Sequence, residues 1–346
     1  MSTYTYNCID LFSGCGGLSE GLEQAGFNVK AAIEIVPVAV KAYKLNHKKT
    51  VVIQDDIRRV SGNTIRDILK GEPLHMLAGC PPCQGFSSVR RLNRKRSVND
   101  DRNSLVVEYL RLIKELKPLT IMMENVPGLK DYYLFKNVVK ELSKLGYNPK
   151  VNIVNVKNYG VPQNRKRLIM VGSLLGDINI APGNDEKVTV RQVIGNLPNP
   201  QDAKDPLQRI IAKHTEKVYK RIKLTPKDGG SWKDLPKEYT LKCHEKENVG
   251  FNDIYGRLRW DDYSTTITGA CLNPSKGRFL HPEQDRVITP REAALLQSFP
   301  LKYKFPLDIP KQALALLIGN ALPPKFSYYQ SKNIKEHLDK YLSQDV

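Results

Sequence analysis

Apolar positions along the chain fall into short unbroken runs, alternating with stretches in which they recur every three or four residues. The first run, residues 4–11, predicts a buried strand closing on Asp10. It leads into the loop Phe12-Ser13-Gly14-Cys15-Gly16-Gly17 and a short helix over 18–26 that Gly26 stops. A second strand over 29–33 ends in Glu34, a helix spans 36–45, and a third strand over 51–53 runs into Asp55, Asp56 and Ile57. After a helix over 61–70, the run Met76, Leu77, Ala78 gives a fourth strand. An amphipathic helix over 105–116 closes before Pro118, the apolar strand 119–123 ends in Glu124, and a helix covers 135–145. Strands follow over 151–156 and towards 171, and alternation puts Gln163, Arg165 and Arg167 on one face at the start of the latter. Strand and helix in regular succession, with acidic residues at successive strand ends, predict an α/β sheet with a ligand edge.

Residues 174–287 break this rhythm. They are rich in Lys, Pro, Gly and Asp, with scattered aromatics at Trp232, Tyr239, Phe251, Tyr255 and Trp260. Within them Thr265-Thr266-Ile267-Thr268 is β-prone and reads equally as an edge strand or as a contact for phosphates and bases. A helix over 291–298 and the segment from Leu314 onward return the chain to the first domain. The expected organisation is a domain of residues 1–173, an inserted smaller domain over 174–287, and a return over 288–346.

Composition adds a partner class. The 346 residues carry a formal net charge of +18, with an isoelectric point near 9.5. Such a balance fits a nucleic-acid partner, though a generally lysine-rich proteome produces it too. The polar N-terminus lacks the pattern of a signal peptide, and no apolar stretch approaches the roughly 18 residues of a membrane span. A cytoplasmic location without membrane contact follows. The six cysteines (8, 15, 80, 83, 243 and 271) offer one C-x-x-C pair and no second pair at zinc-site spacing, so no metal is expected.

Candidate chemistry gathers at two places. Gly14-x-Gly16-Gly17, with the next glycine at Gly21, departs from the dinucleotide spacing and fits a nucleotide-like cofactor without a pyrophosphate, or a plain glycine turn. Glu34 stands where an acidic residue grips ribose hydroxyls in doubly wound folds, and Asp56 and Ile57 could meet an adenine amino group and ring. The other place is Gly79-Cys80-Pro81-Pro82-Cys83-Gln84-Gly85-Phe86-Ser87-Ser88, followed by a basic segment over 90–96. Three readings fit it: a proline-rich turn with buried cysteines, a redox pair of Cys80 and Cys83, or a single nucleophile, Cys83, activated by nearby positive charge.

Taken together, Asp10-Leu11-Phe12-Ser13-Gly14-Cys15-Gly16-Gly17, Pro81-Pro82-Cys83-Gln84, Glu124-Asn125-Val126 and Gln163-Asn164-Arg165-Lys166-Arg167 resemble, in this order, the motifs of cytosine-C5 DNA methyltransferases of the bacterial and archaeal restriction-modification type. The runs over 289–300 and 318–324 resemble that family's last two motifs. The resemblance implies a Rossmann-like S-adenosylmethionine-dependent sheet with an inserted target-recognition domain. It implies methyl transfer to C5 of a flipped-out cytosine in double-stranded DNA, within a short specific sequence. Cys83 would add covalently to C6, Glu124 would hydrogen-bond or protonate N3, Arg165 would hold the base at O2, and Arg167 would support the site. Phe12, Ser13, Gly14, Gly16, Glu34, Asp56, Ile57, Pro81, Leu105 and Asn320 would bind S-adenosylmethionine. Gln84, Ser87, Arg90, Arg91, Arg94, Gln163 and Thr266 would meet DNA. A monomer and a cognate restriction endonuclease are also implied, and no zinc-binding N-terminal extension of the regulated eukaryotic kind is expected.

Two rival activities have their own signatures. A transfer-RNA cytosine methyltransferase on the same scaffold would carry a Cys-Phe-Thr run, which is absent from this sequence. A thiol oxidoreductase would need Cys80 and Cys83 to act as a pair and would have no use for Glu34, Asp56 or Asn320.

Overall fold

The computed structural model describes residues 5–82, 104–184, 186–241 and 253–342. They fall into two compact units, one within Met1–Tyr159, Lys166–Asn184 and Leu322–Val346, the other within Gly160–Arg165 and Asp185–Ala321.

The first unit is built on seven strands: β1 (Tyr6–Leu11), β2 (Phe27–Ile33), β3 (Val51–Ile53), β4 (Met76–Gly79), β5 (Thr120–Asn125), β6 (Lys150–Asn155) and β7 (Lys166–Ser173). They lie in the order β3-β2-β1-β4-β5-β7-β6. The first five are parallel, whereas β7 is antiparallel to both β5 and β6. Every residue of β1, β4 and β5 is buried, as expected of strands covered on both faces. The covering helices are α1 (Gly17–Gln24), α2 (Pro37–Asn46), α3 (Gly62–Leu69), α4 (Leu105–Leu116) and α5 (Tyr133–Lys144). A C-terminal helix, Pro324–Leu342, joins them.

Each helix follows from its sequence. Val106, Tyr109, Leu110 and Ile113 give α4 one apolar stripe, and Lys117, in the left-handed conformation, ends it just before Pro118. Fully buried Tyr109 donates its hydroxyl to the carbonyl of Met122 and binds the sheet beneath. Gly21 gives α1 its close approach to the C-terminal helix: a Cβ there would meet Ser327 Cβ at 2.4 Å. Gly21, the fourth glycine after β1, therefore serves helix packing.

The strand expected from residue 159 onward begins later than alternation suggests. Val156–Tyr159 is a turn of 3-10 helix, Gly160–Arg165 belongs to the second unit, and β7 starts only at Lys166. Gln163 and Arg165 therefore do not share a strand face with Arg167.

The second unit has little regular strand; among its described residues pairing is limited to isolated bridges such as Gln163 to Ser264 and Arg257 to Leu280. Buried polar side chains do the work that sheet ladders do elsewhere. Arg257, fully buried, donates to the carbonyls of Ile222, Thr225, His281 and Gln284 and pairs with Asp285. Thr289 and Glu292 form a capping box on the helix Pro290–Leu296, and Glu292 also pairs with Arg286. The helix Lys311–Asn320 lies against the segment at Thr268, where a Cβ on Gly319 would come within 2.0 Å of the Thr268 carbonyl carbon. Both helices belong to this unit, which runs on past residue 288 to Ala321. The return to the first unit is correspondingly short.

Candidate active site

Strand order reverses between β1 and β4, so loops from neighbouring carboxyl ends diverge there and leave a crevice, the usual ligand position in an open α/β sheet. Because β1 to β5 are parallel, Phe12, Glu34, Asp56, Cys80 and Glu124 all sit at one rim of the sheet. Antiparallel β7 brings its first residues to the same rim: Asn125 pairs with Leu168, and Arg167 comes just before it.

The cofactor candidates of the first unit follow those strand ends. Phe12, Gly14 and Gly16 all have positive φ, at 60°, 55° and 94°, so the loop after β1 turns tightly. For Phe12 this conformation costs on the order of 1–2 kcal/mol. Ser13 N bonds the Ile33 carbonyl, and the Glu34 carboxylate accepts from Gly14 N and Val36 N, both at 2.8 Å. Glu34 thus clamps the loop to the end of β2. Beside it Ile35 and Val36 are 56% and 45% exposed, an apolar surface a ring could cover. Asp56 caps the turn Ile57–Arg59 and pairs with Arg58, which holds its carboxyl at about 2; Ile57 is buried. Leu105 begins α4, Pro81 follows β4, and Asn320, exposed, ends its helix in the second unit.

At the rim between β4, β5 and β7 lies a charged cluster. Arg167 Nε lies 2.8 Å from Glu124 Oε1 in an ion pair, with both side chains largely buried. Asn125 Nδ2 donates to the Pro81 carbonyl at 2.7 Å and fixes the start of the segment that leads to Cys83. Cys80 neighbours Glu124 across β4 and β5, and burial together with the nearby carboxylates pushes its thiol pKa well above the usual range. Sequence reasoning passed over Cys80, Asn125 and Asp10 as contributors; the quoted runs around Glu124 and Asp10 were the available signal.

Asp10 is fully buried at the end of β1. Its Oδ2 accepts from Ser19 Oγ at 2.6 Å, Oδ1 has no hydrogen-bond partner among the described residues, and burial pushes its pKa up to about 7. Between about pH 4 and about pH 7 the folded chain therefore holds a proton that the unfolded chain releases, so stability falls as pH rises through that window. In Asp10→Asn this component of the slope should vanish, whatever the variant's overall stability. Urea midpoints measured at several pH values across the window check it; an unchanged slope would show that Asp10 titrates normally.

Of the two arginines, Arg167 is the one beside Glu124. Arg165, buried in the second unit, donates to the carbonyls of Ile267 at 2.9 Å and Gly319 at 3.2 Å. Gln163, expected at DNA, is fully buried: its amide donates to Gln297 and the Leu296 carbonyl and accepts from Ile267 N. Its side chain is consumed inside the fold, which corrects the expectation of a DNA contact. Thr266, half-buried, donates its hydroxyl to the Asn164 carbonyl. Cys83, Gln84, Ser87, Arg90, Arg91 and Arg94 lie outside the described residues. Among the described residues, Glu20, Glu23 and His47 offer three ligand atoms within 4.8 Å of one another, and His47 is bonded to Glu23. No helix of the described residues is long and apolar enough to cross a membrane.

Comparison with known proteins places this geometry. The sequence model of the family described as C-5 cytosine-specific DNA methylase matches residues 6–336. The chain is similar to the Type II methylase M.HgiDII of Herpetosiphon aurantiacus, at 36% identity over 96% of this chain and 95% of that one. It is also similar to the Type II methyltransferase M.XorII of Xanthomonas oryzae, at 33% identity over 91% and 81%. Among solved structures, a prophage-encoded Escherichia coli protein described as a DNA modification methyltransferase superposes with a TM-score of 0.75 at 27% identity, covering 97% of this chain and 100% of that one. The Dnmt2 methyltransferase of S. pombe, at 19% identity, covers 96% of this chain and 99% of its own with a TM-score of 0.65, and shares the fold.

Proposed function

The chain belongs to the C-5 cytosine-specific DNA methylase family, whose reaction is methylation of cytosine at carbon 5, and from that premise we propose that it modifies a flipped-out cytosine in a short sequence of double-stranded DNA through a covalent Cys83 adduct. C5 of cytosine is a poor nucleophile. Addition of a thiolate to C6 turns the ring into an enamine-like nucleophile at C5, and Glu124 hydrogen-bonds or protonates N3 as charge builds there. S-adenosylmethionine, when bound, supplies an electrophilic methyl group. Once C5 has taken it, loss of the C5 proton to water or hydroxide expels the thiolate from C6 and restores the aromatic ring. Both carbons are inaccessible in stacked DNA, so the base must leave the helix.

The observation that carries the assignment of the nucleophile is the state of the other thiols. Burial holds Cys8 and Cys80 well above the ordinary thiol range and pushes Cys15 and Cys271 up to about 12. All four stay protonated near neutral pH and cannot attack. Two cysteines remain, Cys83 and Cys243, and of these Cys83 stands in the motif where the family places its nucleophile. Its proposed neighbours are Glu124 and Arg167, with Arg167 at the base edge because it is the arginine paired with Glu124; Arg165 instead positions the backbone at Ile267 and Gly319.

The rim residues suit S-adenosylmethionine. Glu34 would take the ribose hydroxyls, Asp56 the adenine amino group, and Ile57 with the exposed Ile35 and Val36 would cover the ring. Phe12, Ser13, Gly14, Gly16, Pro81, Leu105 and Asn320 would complete the contacts. A net charge of +18 supports a polyanionic substrate, with the basic residues Arg90, Arg91 and Arg94 and the polar Gln84, Ser87 and Thr266 as DNA contacts. The Type II designation of the relatives supports a cognate restriction endonuclease acting on the same site; we also propose a cytoplasmic, nucleoid-associated monomer. Incubating the purified chain with methyl-labelled S-adenosylmethionine and either duplex DNA or transfer RNA tests the reading. Label should enter DNA as 5-methylcytosine; label entering only transfer RNA would overturn it.

A further inference from the structure

We propose that Cys80 is a positioning residue for Glu124, its thiol donating to the carboxylate that Arg167 grips from β7, so that the acid meeting the cytosine ring is held from both neighbouring strands. The inference rests on the reading of Glu124 as the group that faces N3.

Backbone geometry sets up the contact. Gly79 of β4 pairs in register with Met123 of β5, so Cys80 and Glu124 are the next residues along on adjacent parallel strands. Cys80 N donates to the Leu11 carbonyl at 3.1 Å, and Asn125 Nδ2 holds the Pro81 carbonyl, which fixes the main chain on either side of Cys80. Neither Pro81 nor Pro82 has an N–H to offer. The continuation of β4 therefore has the side chain of Cys80, and no backbone amide from the next two residues, with which to reach Glu124. The in-register pairing of β4 and β5 puts that thiol beside the carboxylate.

The charged surroundings keep the thiol a donor. Arg167 faces Glu124 from β7, and Asp10 at the end of β1 adds negative charge near Cys80. Burial and both carboxylates favour S–H over the thiolate, and a neutral thiol beside a carboxylate can only donate to it. Cys80 thus acts through Glu124 and not on the substrate. Its spacing to Cys83 then reflects the geometry of the rim rather than a redox pair.

Purified full-length Cys80→Ala, Cys80→Ser and Glu124→Gln, assayed for DNA methylation between about pH 5.5 and about pH 9, test the role. Cys80→Ala should lower kcat about tenfold while both KM values stay within about twofold, since one hydrogen bond to a charged group is lost. Cys80→Ser, which keeps a donor, should restore kcat. Cys80→Ala with wild-type kcat overturns the inference. So does a Cys80→Ser as impaired as Cys80→Ala, which would mark a packing role. A fully active Glu124→Gln would overturn the reading of Glu124 and the inference with it, whereas an inactive Glu124→Gln beside an unaffected Cys80→Ala overturns the inference alone.

Discussion

Cys83→Ala should abolish methyl transfer, by on the order of 10⁴-fold or more, while S-adenosylmethionine binding persists. The size of the effect follows from the chemistry. Without addition to C6 the ring has no enamine to direct at the methyl group, and no other described thiol is ionised near neutral pH to replace it. The same reasoning predicts a trap. In DNA carrying 5-fluorocytosine the C5 substituent cannot leave as a proton, so the adduct should accumulate as a protein–DNA species stable to denaturation. That species should form with wild type and be missing with Cys83→Ala. A trapped species that survives the substitution would place the nucleophile elsewhere.

Arg167→Ala should have the second largest effect, on stability as well as rate. The side chains of Arg167 and Glu124 are 14% and 11% exposed, and Arg167 is the cation paired with that carboxylate. Removing one member of a buried ion pair leaves the other charged without compensation and costs about 3–5 kcal/mol. Chemical unfolding should show that loss in Arg167→Ala. Adding Glu124→Gln to it should cost much less than the two single substitutions summed, because the stranded carboxylate is then neutral. Strict additivity would mean the pair contributes nothing as a pair. Arg165→Ala should instead loosen the second unit, whose Ile267 and Gly319 carbonyls it binds.

How far the sequence could be read depended on which interactions decide each feature. β1, β4 and β5 are buried on both faces, so they appear as unbroken apolar runs, and the acidic residues that end β2 and β5 stand out against them. The parallel sheet and its ligand rim were legible for that reason. β7 was harder. Gln163, Arg165 and Arg167 alternate as a strand would, yet the first two are consumed by Gln297, Leu296, Ile267 and Gly319, residues more than a hundred positions further along the chain. Local periodicity carries no information about partners that distant. Nor does it report that β7 inserts antiparallel between β5 and β6, which is what carries Arg167 to Glu124. The contacts of the two arginines and the burial of Gln163 were hidden by the same cause. Cys80 was visible only as half of a C-x-x-C pair; its place beside Glu124 depends on the register of two strands separated by some forty residues.

Sequencing 5-methylcytosine across the DNA of cells that express the chain tests the central claim most directly. Expression of the wild type should place 5-methylcytosine at one cytosine of one short motif throughout the genome, and Cys83→Ser expressed to the same level should leave that motif unmodified. DNA that stays unmethylated with the wild type, although the protein is folded and binds S-adenosylmethionine, would contradict a DNA substrate. Methylation that persists in Cys83→Ser would contradict the mechanism.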